Sequence, residues 1–454
     1  MGAESAAATA ETHPYRWAAL AVCTVLIGIV SVVWHTFSLF LVALTGSFGW
    51  SRAETSLGFT IFVIVSGITG PNTGQLIARY GARRVVTIGG LVLATGLVAT
   101  SRMQTLWQFY LFFGVIGGVG FNMAGWVPVV TLLQTWFRER LGMATGIASA
   151  GVGVGIMVLV PAIQESILQF GWRVTYLLTA VVMLMAVLPA AAFIREGPLG
   201  RRRGAGLPGA SRPEDEPGVV DRDWVRRPWS LALALHTRRF WYLLVAFFLA
   251  SFSSQQILAH HVAYLRGTGV GALAAASIVG VIGVTSVPAR ISWGAASDRI
   301  GRELTYTLAA AMLVAAIAVL WLVSVVPGGA WLAYLYAVLM GVGYVSSSTM
   351  PPILTADMFR GAAYAAIFGG IQLASNGGTG VGAFSAGFIY DHTGSYDLAF
   401  AIAIAGVFVS AACVWLAAPR LVRRAVRRPA PVALSADASP GSVSQPGVGA
   451  GRER

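Results

Sequence analysis

The stretch Gly74-Gln-Leu-Ile-Ala-Arg-Tyr-Gly-Ala-Arg-Arg84 is a short basic segment that separates two long apolar runs. A related stretch, Gly294-Ala-Ala-Ser-Asp-Arg-Ile-Gly-Arg302, separates two apolar runs later in the chain. The two stretches start 220 residues apart (294 − 74), which is close to half of the 454-residue chain. Because internal repeats of this kind are typical of two-part helical membrane proteins, the chain is predicted to consist of two matched halves.

The composition is that of a membrane protein. Hydrophobic residues make up 56% of the chain and charged residues only 11%, against roughly 25% charged residues in soluble domains. Runs of about 20 apolar residues are long enough to cross a bilayer as helices, and the alternating pattern of a membrane β-barrel is absent. We therefore predict an all-α membrane protein. Its twelve predicted spans are 17–42, 54–77, 85–101, 107–134, 142–168, 174–194, 240–265, 271–296, 304–326, 331–356, 361–390 and 396–418.

The placement of basic residues predicts the orientation of these spans. All 31 cationic residues are arginines. On one side of the membrane are predicted to lie Arg52, Arg102, Arg173 and Arg266. The other side receives Arg16, Arg360, the loops at 79–84, 138–140 and 299–302, the segment 195–239 and the C-terminal tail. Cytoplasmic loops carry an excess of basic residues, so both termini are predicted to be cytoplasmic, in the cell (inner) membrane. The net charge of +13 has the same origin, so no nucleic-acid partner is expected.

Polar stretches divide this architecture into five predicted parts. These are a polar N-terminal tail (1–15), an N-terminal six-helix bundle (16–194), a flexible cytoplasmic linker (195–239), a C-terminal six-helix bundle (240–418) and a disordered basic tail (419–454). The linker is predicted from Arg201–Arg203 and Pro213-Glu-Asp-Glu-Pro217, a charged stretch with helix-breaking prolines. The tail combines arginines with Ala, Ser, Pro and Gly, a composition typical of disorder.

The sequence carries no signal of an enzyme or of a bound cofactor. No metal-ligand cluster, nucleophile–base pair or phosphate-binding loop stands out in it. Gly151-Val-Gly-Val-Gly155 is similar to a nucleotide-binding motif, but it lies inside a predicted span, where small residues let helices pack closely. Cys23 and Cys413 also lie inside spans, so no disulfide framework is expected. We predict a protein that is not an enzyme and that binds neither cofactor nor metal.

Arg290 is the charged residue that lies deepest in a predicted span. None of the 18 acidic residues is central in a span. Arginine at the centre of a span costs roughly 2.5–3.5 kcal/mol, and no carboxylate lies near Arg290 in sequence. Its planar guanidinium is therefore predicted to face a water-filled cavity and to bind a carboxylate of the solute. The alternative is an arginine that snorkels towards the cytoplasmic loop two turns away.

Polar side chains at helical spacing give further candidates. The stripe on the first span is Ser31, His35 and Ser38, and the stripe on the seventh is Ser253, Gln256, His260 and Tyr264. His261 points about 100° away from His260, so His260 is predicted to line the path. The alternative for each histidine is a hydrogen bond between helices. Asn122 on the fourth span and Asn376 on the eleventh are also candidates, or else they join neighbouring helices.

The repeated loop resembles the loop signature of the major facilitator superfamily, G-x-L-x-D-R-x-G-x-R-R. The gating-loop residues that this resemblance implies are Gly74, Arg79, Gly81 and Arg83 in the first copy and Gly294, Asp298, Arg299 and Gly301 in the second. The first copy has Ala78 where the signature has aspartate, so gating contacts of this carboxylate are expected only from Asp298. The resemblance implies two six-helix bundles with the substrate site at mid-depth between them, exposed to each side in turn by rocking.

Several segments resemble the monocarboxylate transporter family and its bacterial branch, near the oxalate/formate antiporters. The segments are Gly117-Gly-Val-Gly-Phe-Asn122, Thr135-Trp-Phe-Arg-Glu-Arg140, Met143-Ala-Thr-Gly-Ile-Ala-Ser-Ala-Gly151 and Phe48-Gly-Trp-Ser-Arg-Ala-Glu-Thr-Ser56. The resemblance covers nearly all of 15–420. It implies that Arg290, followed by Gly294, is the arginine that binds the substrate carboxylate.

Three departures from these families bear on the substrate. Mammalian-type members have an aspartate one turn before the arginine, where this chain has Ser286, and a lysine in the first span, where it has His35. Oxalate/formate exchangers have a second cation in the eleventh span, where this chain has Asn376. One fixed cation matches one carboxylate, so we predict monocarboxylates rather than dicarboxylates.

The predicted function is secondary active transport of a small monocarboxylate, coupled to a proton. The predicted substrate-binding residues are Arg290, Asn122, Asn376, His260, Tyr264 and Ser286. The proton is assigned to His35 or His260, because the unperturbed pKa of histidine is about 6.5. The expected partners are a small carboxylate, a proton and the lipid bilayer, and a monomer is expected.

An organic-anion exchanger and an efflux carrier of an anionic drug remain the alternatives. A membrane sensor is disfavoured, because the linker and the tail are too short for a signalling domain. The sequence leaves open which acid is carried, in which direction, and whether the coupled ion is a proton or a second anion.

Overall fold

The computed structural model describes residues 15–137, 141–195, 197, 219–326, 329–359 and 364–423. These residues are helical or lie in short connections, apart from an isolated β-bridge between Val219 and Arg423. Ten helices among them are long and apolar enough to cross a membrane. The first 14 residues and most of the predicted tail lie outside the described residues.

The helices of the first half are α1 (Tyr15–His35), α2 (Phe37–Phe48), α3 (Arg52–Tyr80), α4 (Ala82–Ser101), α5 (Leu106–Phe109), a π-helical turn (Tyr110–Gly117), α6 (Gly118–Ala124), α7 (Trp126–Trp136) and α8 (Leu141–Ala192). The helices that follow the first half are α9 (Arg222–Arg226), α10 (Leu231–Leu235), α11 (Arg238–Gly267), α12 (Ala272–Ile300), α13 (Arg302–Val325), a 3-10 turn (Gly329–Trp331), α14 (Leu332–Gly343), α15 (Val345–Met358), α16 (Tyr364–Thr393), α17 (Asp397–Ala417) and a 3-10 turn (Pro419–Leu421).

Three predicted spans map onto the helices in unexpected ways. The fifth and sixth predicted spans share α8, whose backbone leaves the helical region at Gly171 (φ 77°), a conformation that glycine adopts at little cost. The eleventh predicted span corresponds to α16, which is 30 residues long but is not among the ten apolar helices. Its glycines and polar residues lower its mean hydropathy.

The repeated loops form the same tight turn in both halves. Gly81 has φ 84° and ψ 152° and is the single residue between α3 and α4. Gly301 has φ 97° and ψ 157° and stands in the same way between α12 and α13. Side chains rarely adopt a positive φ, so glycine at this point of the loop allows two long helices to meet at one residue.

Close packing of glycines also recurs in both halves. A Cβ at any of four glycines would overlap a carbonyl oxygen of a neighbouring helix. The pairs are Gly151 with Thr24, Gly155 with Gly28, Gly378 with Phe248 and Gly382 with Phe252. The difference in residue number is the same for both pairs between α8 and α1, and it is the same for both pairs between α16 and α11. The helices of each pair therefore run in the same direction, so α1 is parallel to α8 and α11 is parallel to α16. Small residues are what permits such close helix packing in membrane proteins.

Two antiparallel helix pairs join the halves. In the first pair, α3 contacts α16, and the hydroxyl of Thr60 donates to the carbonyl oxygen of Gly380 at 2.7 Å. In the second, α8 contacts α12, where a Cβ at Gly283 would lie 2.8 Å from the side chain of Ile156. The space between these two pairs contains the candidate site.

The second part of the predicted linker, residues 219–237, is folded onto the C-terminal half, whereas Gly197 contacts Thr135 of the N-terminal half. Residues 219–237 contain α9 and α10, and the indole N–H of Trp224 donates to the carbonyl oxygen of Met358 at 2.7 Å. Trp229 is buried. The backbone N–H of Val220 donates to the carbonyl oxygen of Val422 at 2.9 Å, so the start of the predicted tail is also attached. Burial of two tryptophans with satisfied N–H groups accounts for this order.

Candidate functional site

A narrow cavity of about 30 Å³ lies between the two halves. Its walls come from α1, α2, α8, α11 and α12, together with Tyr344. The polar side chains that line it are His35, Ser38, Gln255, His261, Ser286 and Arg290. We call this space the central cavity. No aspartate or glutamate lies among its lining residues.

Arg290 supplies the positive charge of the central cavity. Its guanidinium carbon lies 5.8 Å from the ring centre of Tyr344. None of the ion pairs found among the described residues includes Arg290. A guanidinium that is partly removed from water without a carboxylate forms a favourable site for an anion, because its fork matches two oxygens of a carboxylate.

Ser286 and Tyr264 were both predicted to bind substrate, and the structure separates them. Ser286 lines the central cavity one turn before Arg290, and its hydroxyl donates to the carbonyl oxygen of Gly283 at 2.7 Å. The hydroxyl of Tyr264 donates to the carbonyl oxygen of Trp321 at 3.2 Å, and Tyr264 does not line the cavity.

His35 faces the same cavity as Arg290. Its Nδ1 lies 2.8 Å from the carbonyl oxygen of Ser31. A carbonyl oxygen only accepts hydrogen bonds, so Nδ1 carries the proton and Nε2 has the free lone pair of the neutral ring. His35 therefore offers a proton-accepting nitrogen beside the fixed cation.

His261 is a cavity residue, whereas the sequence predicts that its neighbour His260 lines the path. It lines the central cavity, whereas His260 does not. Gln255 and Leu258 share its face of α11, so the lining face is not the stripe of Ser253, Gln256, His260 and Tyr264. The sequence feature that indicates this face is Gln255, a polar residue that is not part of that stripe.

His260 is hydrogen-bonded on both ring nitrogens. Its Nε2 lies 2.9 Å from the carbonyl oxygen of Ala383 and 3.1 Å from the hydroxyl of Ser56, and its Nδ1 lies 3.0 Å from the hydroxyl of Tyr396. Since the carbonyl can only accept, Nε2 donates, and Nδ1 accepts from the hydroxyl of Tyr396. His260 thus joins α11, α16 and α3 rather than facing the cavity.

Tyr396 continues this network to a charged contact between the halves. The guanidinium of Arg52 donates to the hydroxyl of Tyr396 and lies 3.6 Å from the ring centre of Tyr390. The backbone N–H groups of Arg52 and Ala53 donate to the carboxylate of Asp391 at 3.0 and 2.7 Å. We call this network, with His260, the closed end. It joins the start of α3 to the end of α16.

The repeated loops lie at the opposite end of the same helices. A 29-residue helix such as α3 is about 43 Å long, so the Gly74 loop is far from Arg52. A Cβ at Gly74 or Gly294 would meet no atom within 4 Å. The described hydrogen bonds between the halves lie at the closed end and at Thr60, about two turns further along α3.

Among the described residues, an ion-pair network is found at the second loop copy and none at the first. Arg302 bonds to Asp298 at 2.7 Å and to Asp357, also at 2.7 Å. The equivalents of Asp298 and Arg302 in the first copy are Ala78 and Ala82. The first copy therefore has alanine in place of both the aspartate and the arginine that pair in the second copy.

Asn122 and Asn376 lie outside the central cavity. The side-chain amide of Asn122 donates to the carbonyl oxygen of Ser66 at 2.8 Å. The amide oxygen of Asn376 accepts from Gln372 at 3.1 Å, and a Cβ at Gly67 would lie 2.5 Å from the amide nitrogen of Asn376. Both asparagines therefore face α3 in this conformation.

The described residues were also searched for a metal site. Within them, no group of three or more His, Cys, Asp and Glu side chains is placed to hold a metal ion. Cys23 and Cys413 are buried and unpaired with each other.

Comparison with known proteins relates this geometry to a family. The sequence pattern of the Major Facilitator Superfamily matches residues 20–375. The chain is 23% identical over 408 residues to an oxalate:formate antiporter of Oxalobacter formigenes, covering 90% of this chain and 93% of the relative. It is 26% identical over 383 residues to monocarboxylate transporter 13 of Bos taurus, covering 84% and 83%.

Three further comparisons are consistent with this match. Monocarboxylate transporter 1 of Bos taurus is 30% identical over 186 residues, which cover 40% of this chain and 36% of the relative. The fold is similar to that of the nucleoside transporter NupG, with a TM-score of 0.70 and 11% identity over 88% of this chain and 99% of NupG. It is also similar to an inward-facing bacterial homologue of the lysosomal transporter Spinster, with a TM-score of 0.60, 16% identity and coverage of 90% and 97%.

Proposed function

Because the chain belongs to the Major Facilitator Superfamily, we propose that it is a secondary active transporter of small monocarboxylate anions. The chain is a membrane transporter and not an enzyme, and its relatives include monocarboxylate transporters and an oxalate:formate antiporter. The observation that carries the proposal is Arg290, a guanidinium in a narrow cavity between the halves with no carboxylate among the lining residues.

The proposed architecture is that of two six-helix bundles with twelve spans, 16–194 and 240–418. The recurrence of the glycine turns and glycine contacts in both halves supports it. The distribution of arginines supports cytoplasmic termini and a place in the cell (inner) membrane. We propose a monomer, because the central cavity lies between the halves of one chain.

Alternating access is the proposed mechanism. In the proposed orientation the closed end faces away from the cytoplasm, and the repeated loops face the cytoplasm. The substrate would reach Arg290 from the loop end in this conformation, as the likeness to an inward-facing transporter suggests. Breakage of the contacts between Arg52 and Asp391 would then open the other side.

Proton coupling is proposed to use two histidines with different tasks. His35 has its free Nε2 in the same cavity as Arg290, so a proton there would offset the charge of the bound anion. His260 lies in the closed end, where a second proton on the ring would convert Nδ1 from an acceptor into a donor, so that Nδ1 and the guanidinium of Arg52 would both donate to the hydroxyl of Tyr396 and two positive charges would face each other there. One histidine would thus couple the proton to binding and the other to opening.

Exchange of two anions is the competing proposal. Similarity to an oxalate:formate antiporter over 90% of this chain favours it, whereas the single guanidinium in the cavity favours one carboxylate per binding event. Proteoliposomes distinguish the two. Uptake of lactate driven by an inward proton gradient supports symport, and uptake that requires formate inside the vesicles supports exchange.

The deciding experiment is uptake of radiolabelled lactate into proteoliposomes that contain the wild-type protein, Arg290→Ala or Arg102→Ala. Loss of a desolvated ion pair costs about 2–5 kcal/mol, so Arg290→Ala is expected to lower uptake by at least about thirtyfold. Arg102 is an exposed arginine outside the cavity, and its variant is the matched control. Undiminished uptake by Arg290→Ala would refute the site, and lack of any carboxylate uptake by the wild type would refute the function.

A further inference from the structure

Two polar atoms of the central cavity are buried and have no hydrogen-bond partner among the described residues. They are Nε2 of His261 and the hydroxyl oxygen of Ser38. Both residues are 2% exposed and both line the cavity. Buried polar groups are nearly always hydrogen-bonded in folded proteins, so two unpaired ones in a single cavity need partners that enter the cavity from outside the protein.

The chemistry of His261 determines what such a ligand must offer. Its Nδ1 lies 2.9 Å from the carbonyl oxygen of Leu258 and therefore carries the proton of the neutral ring. Nε2 is then a lone-pair acceptor, which only an O–H or N–H donor can satisfy. The hydroxyl of Ser38 can both donate and accept. A ligand hydroxyl has the chemistry that each atom needs, because it can donate to Nε2 and accept from Ser38.

The position of His261 separates its Nε2 from the carboxylate site. A short turn at 268–271 joins α11 and α12, so the two helices run in opposite directions. His261 precedes that turn by about as many residues as Val279 follows it, which places His261 beside the Val279 end of the cavity. Arg290 lies about 16 Å further along α12. Allowing for the reach of the arginine side chain, a hydroxyl near His261 is separated from the carboxylate by several bonds.

We infer that the preferred substrate is a monocarboxylate with a hydroxyl group remote from its carboxylate, and that His261 and Ser38 bind this hydroxyl. This inference rests on the proposed function, since Arg290 binds the carboxylate. An unsubstituted acid leaves both Nε2 and the serine hydroxyl unpaired, and a keto acid leaves Nε2 unpaired because a carbonyl oxygen cannot donate. A site that is built to hydrogen-bond a hydroxyl discriminates strongly against analogues that lack it.

The test compares uptake of butanoate, 3-hydroxybutanoate and 4-hydroxybutanoate by the full-length protein in proteoliposomes. The wild type is expected to take up 4-hydroxybutanoate at least about tenfold more efficiently than butanoate, measured as kcat/KM. His261→Phe is expected to reduce this ratio to about one, and Ser38→Ala to reduce it about threefold. His261→Gln retains an amide oxygen as acceptor and is expected to recover part of the ratio.

The matched control is His236→Phe, the same substitution at an exposed histidine outside the cavity. Its ratio is expected to equal that of the wild type. A wild type that shows no preference for either hydroxylated acid overturns the inference, as does a ratio that His261→Phe and Ser38→Ala both leave unchanged. Should His261→Phe fail to fold, Ser38→Ala and His261→Gln decide the question through the same ratio.

The two levels of failure are distinguishable. If the wild type transports butanoate but ignores the hydroxyl, the monocarboxylate function stands and the hydroxyl site is wrong. If the wild type transports none of the three acids and no lactate, the proposed function itself is wrong.

Discussion

His260 and His261 are neighbours in sequence, yet they belong to two regions of the molecule with opposite properties. His260 is in the closed end, where both of its ring nitrogens are hydrogen-bonded. His261 faces the central cavity, where its Nε2 has no partner among the described residues. Successive residues of a helix point about 100° apart, so one turn of α11 serves both regions.

The same contrast holds for the arginines of the two regions. Arg52 bonds to Tyr396 and stacks on Tyr390 beside the carboxylate of Asp391, whereas Arg290 has no ion pair among the described residues. A contact that closes a path must be self-complementary, because protein groups alone hold it. A binding site must keep its groups unpaired until the ligand arrives. Pairing therefore distinguishes gate from site where residue type does not.

The largest effect on this contrast is expected from removal of the carboxylate in the closed end. In Asp391→Asn, the N–H groups of Arg52 and Ala53 lose their charged acceptor. Hydrogen bonds to charged groups contribute about 1.5–3 kcal/mol, so the open population is expected to rise by about tenfold or more. Spin labels at Gln104→Cys and Leu398→Cys, with Cys23 and Cys413 replaced by alanine, report the distance across this end.

The control for this measurement is Asp397→Asn, which removes a nearby exposed carboxylate and is expected to leave the distance distribution unchanged. An Asp391→Asn protein with the wild-type distance distribution would show that the closed end does not depend on this contact.

An intermediate effect is expected from His260. When His260 is protonated, its Nδ1 and the guanidinium of Arg52 both donate to the hydroxyl of Tyr396. The other titratable groups near His260 are Asp391 and His261. Acidification is therefore expected to favour the open state. A hydrogen bond contributes about 0.5–1.5 kcal/mol, so the effect is about threefold to tenfold.

The spin-label distance, measured as the pH is lowered from 8 to 4, gives the test. His260→Gln is expected to flatten the pH dependence of the open population, whereas His261→Gln is expected to keep it. Equal flattening by both variants would contradict the division of the two histidines between gate and site.

The smallest effect is expected at the repeated loop. Asp298 pairs with Arg302 but is 69% exposed, whereas Asp357 pairs with the same arginine and is 8% exposed. Exposed ion pairs contribute about 0–1 kcal/mol. Asp298→Ala is therefore expected to lower Tm by no more than about 4 °C, and Asp357→Ala to lower it further. A larger loss from Asp298→Ala would mean that the loop aspartate stabilises the fold by another route.

Much of the fold followed from the sequence because it depends on local features. The repeated loop has a glycine at the same place in each copy, and the structure has Gly81 and Gly301 at positive φ in these equivalent places. The glycine run at Gly151–Gly155 predicts close helix packing, and Gly151 and Gly155 do lie against carbonyl groups of α1. Apolar run length is also local, and ten long apolar helices are present among the described residues.

The site was only partly predictable. Arg290, His35 and Ser286 line the central cavity, whereas Asn122, Asn376, His260 and Tyr264 do not. A helical stripe shows which side chains share a face, but it does not show what that face contacts. The longer polar stripe of α11 predicts that His260 lines the path. In the structure, His260 is instead hydrogen-bonded to α16 and α3.

The sequence by itself determined the helices, the tight turns and the existence of a lone arginine deep in a span, because each depends on residues close together in the chain. Only the tertiary structure decided what that arginine faces. Arg290, His35 and His261 come from α12, α1 and α11, and Arg290 is separated from His35 by 255 residues (290 − 35). Their meeting in one cavity depends on how the two halves pack, and on which face each helix turns towards the other.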